Sequence, residues 1–340
     1  MTIYNIITCQ FAAAAIAYLL NLLIGASDFV LHPVRLMGNV TDLFERAVRA
    51  VFPKNKGGEI FGGFVMALLV IAVCGGIPFA ILFFAYRYNM LLGVCVEAVI
   101  GYFMLGTKPI ARAGKDIYNA LMSDDTEDAR YELSMVDSRD TERMDDKGIA
   151  RAAVETVAEN TNDAVVAPLL YMAIGGAVLG CVYRAINTMD KMVGYEDAEY
   201  INFGKFATKL DSVVNYIPSR IAARLMIISS SMSGFDARHA AYIHKRDSRK
   251  RPNSAQTISV VAGALRIMLG GDAYYFGKLY QKPTIGDDLK DVSYYNILQT
   301  AKIMYLASFL AAIIFLALKF GSNYVIQYAD DFIRLIISHI

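Results

Sequence analysis

Tryptophan is absent from these 340 residues and charge is scarce, with Asp, Glu, Lys and Arg making up 19% against 56% hydrophobic residues. A soluble domain carries about 25% charged residues, so the deficit, with a mean hydropathy of +0.38, points to a membrane protein. Neither sign of charge is in surplus: 33 basic against 32 acidic residues leave a net +1, which excludes a global field for nucleic acid. The four cysteines, Cys9, Cys74, Cys95 and Cys181, lie in apolar stretches with no CxxC pair and no Cys/His spacing. Nothing in that spacing suggests a zinc site, and they read as small buried hydrophobes. No G-x-x-x-x-G-K-[ST] motif occurs, so any ATP site is not a P-loop, and the Gly-Gly pairs in apolar segments are read as helix packing. Residues 1–24 contain no Lys or Arg, which argues against a cleaved signal peptide and for a retained helix. Tandem repeats and low-complexity linkers are lacking too.

Long apolar runs are what the chain does have. A spanning helix needs roughly 20 apolar residues, and residues 6–24 supply them without a charge, so 1–26 reads as the first span. Residues 60–105 are too long for one crossing; Gly75, Gly76 and Pro78, with Arg87 beyond, suggest a helical hairpin whose ends share a side. Lys and Arg recur in the flanking segments 27–59 and 107–163, and the positive-inside rule places both in the cytoplasm. Segment 107–163 reads as helical, with helix starts at Asp124-Asp125-Thr126-Glu127 and at Asp145-Asp146. The region 164–256 is apolar but interrupted by polar islands; its first stretch, rich in Gly175, Gly176 and Gly180, either spans or is re-entrant and protein-buried. Residues 221–233 carry Arg224 and a serine run and make a poor lipid-facing span, and 258–269 are too short to cross. A loop-containing block occupies 257–300, 301–320 is the last span, and 321–340 has the periodicity of an amphipathic tail. The expected fold class is all-α: a polytopic integral membrane protein with helical cytoplasmic segments, re-entrant helices being an option.

Chemistry concentrates in the islands. In IARAAVETVAEN, residues 149–160, Arg151, Glu155 and Glu159 follow at i, i+4 and form one polar stripe, with Ala150, Val154 and Ala158 beside it. Asn160-Thr161-Asn162-Asp163 ends that helix just before an apolar run. The bland reading is a helix cap with solvated charges; the functional one is oxygen ligands suited to magnesium and nucleotide phosphates. Further islands hold Arg184, Asn187 and Asp190, and Asp211, Asn215 and Arg220. Charges among apolar residues face one another or a cavity, and paired structural ions are the alternative to a site. After the first span come Asp28, His32 and Arg35; His32 suits a loop hydrogen bond and Arg35 a snorkelling contact, and beside an anionic substrate both could hold phosphate.

Five blocks carry a resemblance: HPVRLMGN (32–39), SRDTERMDDKGIARAAVETVAENTNDAVVAPLLY (138–171), YRAINTMDKMVGY (183–195), FGKFATKLDSVVNYIPSRIAARL (203–225) and AGALRIMLGG (262–271). In this order and spacing they resemble the CobD/CbiB family of cobalamin biosynthesis over nearly the whole chain. The resemblance implies an adenosylcobinamide-phosphate synthase: adenosylcobyric acid, (R)-1-aminopropan-2-ol O-phosphate and ATP give adenosylcobinamide phosphate, ADP and phosphate. A carboxylate is a poor acyl donor, so an acyl phosphate attacked by the amine is the expected route. Such chemistry needs magnesium, cations and a base.

On that resemblance Glu155, Glu159, Asn160 and Asp163 are expected to hold Mg2+ or orient the nucleotide, with Glu155, Glu159 and Asp163 as the metal carboxylates and Asp190 as a further ligand or base. Arg139, Arg143 and Arg184 are expected on phosphates, His32 and Arg35 on a substrate anion, and Asn187, Asp211, Asn215 and Arg220 along the same cavity. Cobalt enters only within the corrinoid. The expected partners are the corrinoid, aminopropanol phosphate, membrane lipid and other membrane enzymes of the pathway, with no nucleic acid. The expected location is the cytoplasmic membrane, with the active site facing the cytoplasm. One departure stands out: where the family reads approximately HPSPNAGWPEAAMAGAL, this chain has Arg249-Lys250-Arg251-Pro252-Asn253-Ser254-Ala255-Gln256-Thr257-Ile258. That loop could alter substrate preference, or its cations bind lipid headgroups or phosphate. The competing functions are a corrinoid-related transporter, which broken apolar segments with intramembrane charges also fit, and a non-catalytic AmpE-like membrane protein.

Overall fold

The structure, a computed structural model, describes residues 3–25, 33–195 and 199–338. Five of its helical stretches are long and apolar enough to cross a membrane: Asn5–Leu23, Lys56–Tyr88, Met90–Met122, Asp146–Val193 and Tyr295–Ser322. The chain is an all-α, multi-pass membrane protein. It divides into two compact units, each discontinuous in sequence: Met1–Leu105, Pro168–Val213 and Ala312–Ile340 form the first, Gly106–Ala167 and Val214–Ala311 the second.

In the first unit, α1 (Ile3–Leu23) packs most extensively on α4 (Met90–Met104), and α3 (Lys56–Tyr88) packs on α4 and on α2 (Pro33–Val51). The expected hairpin forms, but its turn is at Asn89 and not near Gly75–Pro78. Asn89 closes α3 by donating its backbone N–H to Ala85 O (3.0 Å) and opens α4 by accepting from Leu91 N (2.8 Å) and Leu92 N (3.2 Å). Gly75 serves packing instead: a Cβ there would come within 2.8 Å of Val182. Phe79, Phe83 and Phe84 are exposed on α3, as a lipid-facing surface requires.

Helix α8 (Ala167–Val193) is broken at Gly175 and Gly176, which leave the helical region with φ −128° and +66°. A break at membrane depth strands backbone groups with no water to satisfy them. Two charged side chains take them up: the Glu97 carboxylate accepts from Ala177 N (3.0 Å), and Lys319 Nζ donates to Ala173 O and to Gln10 Oε1 (both 2.9 Å). The signs suit the dipoles of the two half-helices, anion at the new N-terminus and cation at the new C-terminus. Lys319 belongs to α13 (Tyr295–Ser338), which runs unbroken through the stretch expected to be a separate amphipathic tail. No Pro separates the span from 321–338, and Gly321-Ser322-Asn323, which reads as a stop, does not end the helix.

The second unit is built round α12 (Ser254–Leu265), whose residues from Ala255 onward are all buried. Against it pack α7 (Asp146–Asn160), α10 (Tyr216–Met232) and α11 (Ala237–Asp247), while α5 (Thr107–Met122) and α6 (Thr126–Ser134) pack on each other and on α7. Both acidic helix starts are N-caps: Asp125 accepts from Asp128 N (3.0 Å) and Asp145 from Gly148 N (2.9 Å). Two small antiparallel pairs, which the sequence reading missed, follow α12. β1 (Leu269–Gly270) pairs with β4 (Thr284–Ile285), and β2 (Ala273–Tyr275) with β3 (Lys278–Tyr280). Buried Asp247 ties α11 to the end of β4, accepting from Arg246 (2.9 Å), Lys250 (3.0 Å) and Gly286 N (2.9 Å).

Candidate active site

Helix α7 does not end at Asn160. It passes into a π-helical turn, Thr161–Val166, and on into α8. Its own side chains explain the widening: Asn160 Nδ2 donates to Thr156 O and Thr161 Oγ1 to Val157 O (both 2.9 Å), competing for carbonyls of the preceding turn. Gly106 N, from outside the helix, takes Ala164 O at 2.8 Å. Single π-turns inside α-helices are frequent at functional sites.

The expected polar stripe of α7 is not solvent-facing, since Glu155 is only 2% exposed. A buried carboxylate must be paired, and both its oxygens are. Oε2 accepts from Arg139 Nη2 at 2.8 Å and Oε1 from Gly270 N at 2.6 Å. Asp137 supports the same arginine, with Oδ1 3.4 Å from Arg139 Nε, and itself accepts from Thr156 Oγ1 at 2.6 Å. Burial works against the Arg139 charge, but Glu155 and Asp137 outweigh it and hold the guanidinium above its ordinary range.

Lys282 joins this centre from the chain between β3 and β4. Its Nζ donates to Tyr275 Oη at 2.5 Å and lies 4.1 Å from that ring's centroid. Burial, together with the positive charges of Arg139 and Arg251, pulls the ammonium down to about 8, against the weaker pull of Glu159 and Glu155. Burial also raises the Tyr275 phenol, reinforced by Asp137 and Glu159 and opposed by Arg139.

A cavity of about 410 Å³ adjoins Arg139, lined also by Asp140, Arg143, Tyr274 and Gly277. Asp140 pins the β2–β3 hairpin by accepting from Phe276 N (3.1 Å) and Gly277 N (2.6 Å). Beyond the π-turn's start, Asn162 Nδ2 donates to Asn215 Oδ1 (2.8 Å) and Asp163 Oδ1 (3.0 Å), while Asn162 Oδ1 is buried with no hydrogen-bond partner among the described residues. Arg220 folds back on its own helix, donating to Tyr216 O at 2.6 Å with its guanidinium 3.5 Å from the Tyr216 ring centroid.

The first unit holds the other expected residues. Asn187, 3% exposed, donates to Asp211 Oδ1 at 3.2 Å, and Arg184 and Asp190 stand one turn either side of it on α8. Arg35 is exposed on α2, and His32, like Asp28, lies outside the described residues.

Among the described residues no three His, Cys, Asp or Glu side chains converge to hold a metal ion. Glu155 is committed to Arg139 and Gly270. The donors that fit magnesium are therefore few and oxygen-based: Glu159, Asp163 and the unsatisfied Asn162 Oδ1. Such oxygens would suit an ion that takes one or two carboxylates and completes its shell with phosphate oxygens and water. Sequence reasoning missed Asp137, Asn162, Tyr275 and Lys282, and took Arg251 only as one of the loop cations that could bind lipid headgroups or phosphate. Asp137 and Asn162 adjoin or lie in blocks already singled out; Lys282 sits in a loop with no pattern to mark it.

A family model described as CobD/Cbib protein matches residues 14–304. The chain belongs to this family. It is 40% identical over 306 residues to the cobalamin biosynthesis protein CobD of Clostridium perfringens, covering 89% of this chain and 96% of the relative. It is 37% identical over 311 residues to the CbiB protein of Salmonella choleraesuis (91% and 97%), and 35% over 312 residues to the CobD protein of Leptospira interrogans (91% and 98%). The match thus spans both units, although each is discontinuous in sequence. No solved structure gives a significant match.

Proposed function

We propose that this CobD/Cbib-family protein catalyses an amide-forming step of cobalamin biosynthesis, joining adenosylcobyric acid to aminopropanol phosphate at the expense of ATP, at the cytoplasmic face of the membrane. The observation that carries the reading is the buried Arg139, held charged by Glu155 and Asp137 in the same unit as the oxygen donors Glu159, Asn162 and Asp163. A held arginine in one unit with acidic and amide oxygens suits phosphoryl transfer, because catalysis there is mostly positioning and charge neutralisation.

The γ-phosphoryl group passes from ATP to a corrinoid propionate oxygen, releasing ADP and leaving an acyl phosphate. The amine then attacks the acyl carbon, the C–O bond to phosphate breaks, and the ammonium proton leaves to a base or to solvent. Arg143 neutralises phosphate charge in the cavity that it lines with Arg139, whose own charge is matched by Glu155 and Asp137. Glu155 acts through Arg139, as a positioning residue. Glu159 and Asp163 are the carboxylates that would hold Mg2+, and the ion would supply charge neutralisation for a bound nucleotide. The polar group of the first unit, Arg184, Asn187, Asp190 and Asp211, is proposed as a substrate contact in its own right, as is exposed Arg35.

The test is to incubate detergent-solubilised protein with adenosylcobyric acid, aminopropanol phosphate, ATP and magnesium and to follow the corrinoid mass. The wild type should yield the amide with ADP, and Glu159→Ala should lower the rate by at least about 100-fold, the lower range for a positioned acid–base or charge-stabilising group. One observation favours a second reading: a helix broken at membrane depth and held by charged side chains, as in α8, is also how transporters build their sites. A folded protein that binds corrinoid, changes no corrinoid mass and moves corrinoid into liposomes would replace the first reading with that one.

A further inference from the structure

Within the second unit, three cations meet with too few anions. Arg139 is neutralised by Glu155 and Asp137. Arg251 and Lys282 are not: among the described residues neither has a carboxylate within ion-pair distance except Lys282's more distant attraction to Glu159 and Glu155. Arg251 Nε and Nη2 are shielded from solvent and have no hydrogen-bond acceptor. A guanidinium with two buried, unused donors is an unfavourable arrangement unless something accepts from them.

Gly270 fixes where these groups lie. Its N–H is spent on Glu155, and a Cβ on it would come 3.2 Å from Arg251 Nη2 and 2.6 Å from Pro283 O, the residue after Lys282. With φ at +75° and no side chain, Gly270 lets the Arg251 guanidinium, the Lys282–Pro283 segment and the Arg139–Glu155 pair approach one another. Repulsion among the three cations is felt at Lys282.

We propose that Arg251 and Lys282, with Arg139 behind them, form a phosphate-binding subsite that takes the terminal phosphate dianion of a phosphorylated substrate. Two unpaired positive charges match a dianion and not a single carboxylate. The mix of guanidinium donors and an ammonium suits three tetrahedral oxygens. The subsite rests on the proposed reaction only for its two natural sources, the γ-phosphate of ATP and the phosphate of the amino-alcohol. Arg251 comes from the 249–258 loop, where this chain departs from the usual family sequence, so the departure adds a phosphate contact.

Inorganic phosphate is the probe. Its binding to the full-length protein in detergent is measured by 31P line broadening for wild type, Arg251→Gln, Lys282→Gln and, as a control, Arg249→Gln on an exposed residue of the same loop. The expected result is at least a tenfold weaker affinity in the first two variants, wild-type affinity in the third, and recovery in Lys282→Arg. In the amide assay, KM should rise at least tenfold for ATP or for aminopropanol phosphate but not both, and the one affected is the source. Wild-type phosphate affinity in folded Arg251→Gln and Lys282→Gln overturns the subsite. Should the variants unfold, phosphate must protect Lys282 of the wild type from acylation, read by peptide mass, and failure to protect overturns it equally. A wild type that makes no amide yet binds phosphate through these residues removes the reaction and keeps the subsite. Amide formation with unchanged KM values in both variants does the reverse.

Discussion

The helical run Asp146–Val193 is interrupted twice, and the two interruptions are satisfied in opposite ways. At Thr161–Val166, in the second unit, the helix widens into a π-turn using its own uncharged side chains, Asn160 and Thr161. At Gly175–Gly176, in the first unit, it breaks outright, and charges from other helices, Glu97 and Lys319, cap the two ends. The first kind of irregularity draws on no charged side chain, although Glu159 precedes it and Asp163 lies within it. The second consumes its charges in structure. Intramembrane ions are therefore not by themselves a sign of catalysis here, although that is the default reading of a charge at membrane depth.

The comparison can be broken hardest at the buried ion pair beside the π-turn. Glu155→Ala strands Arg139 without its main partner and should cost about 3–5 kcal/mol of stability, read by denaturant unfolding in detergent, with amide formation lost. A loss under about 1 kcal/mol would mean that Asp137 alone suffices to hold the arginine. Next comes Gly176→Ala, where a Cβ would meet Glu97 Oε1 at 2.3 Å on a backbone at φ +66°. Strain of this kind costs roughly 1–3 kcal/mol, and the melting temperature should fall. If the break serves only structure, KM values measured below that temperature should stay within twofold of wild type. The smallest energetic effect belongs to Thr161→Val, which removes one back-bond and should change stability by less than about 1 kcal/mol. Straightening the π-turn would turn Asp163 away from Asn162, so activity should fall by tenfold or more. Unaltered activity would separate the π-turn from the chemistry.

Much of the fold was legible because its signals are local. Runs such as 6–24 and 303–318 need only length and apolarity to be recognised as spans, and Asp125 and Asp145 announce helix starts because a short carboxylate reaches an N–H three residues on. Local signals also misled. Gly75, Gly76 and Pro78 look like a turn, yet α3 passes through them because Gly75 is needed for close helix packing. Asn160-Thr161-Asn162-Asp163 looks like a helix end, yet α7 continues, because back-bonding bends a helix without stopping it. The strand pairs after α12 are two or three residues long, too short for any periodicity.

For the candidate site, the sequence by itself determined the residue types and their blocks: a helix bearing Glu155 and Glu159, an Asn/Asp cluster after it, an arginine-rich approach and a membrane setting. Only the tertiary structure decided the roles. It turned Glu155 from an expected metal ligand into the partner of Arg139 and Gly270, and folded Arg220 back onto its own helix. It also brought Lys282 and Arg251 towards Arg139, which lies more than a hundred residues upstream of both. The physical reason is that a carboxylate's role depends on which donors reach its oxygens and how much water is excluded. Both are properties of chain crossings such as the approach at Gly270, which no local pattern encodes.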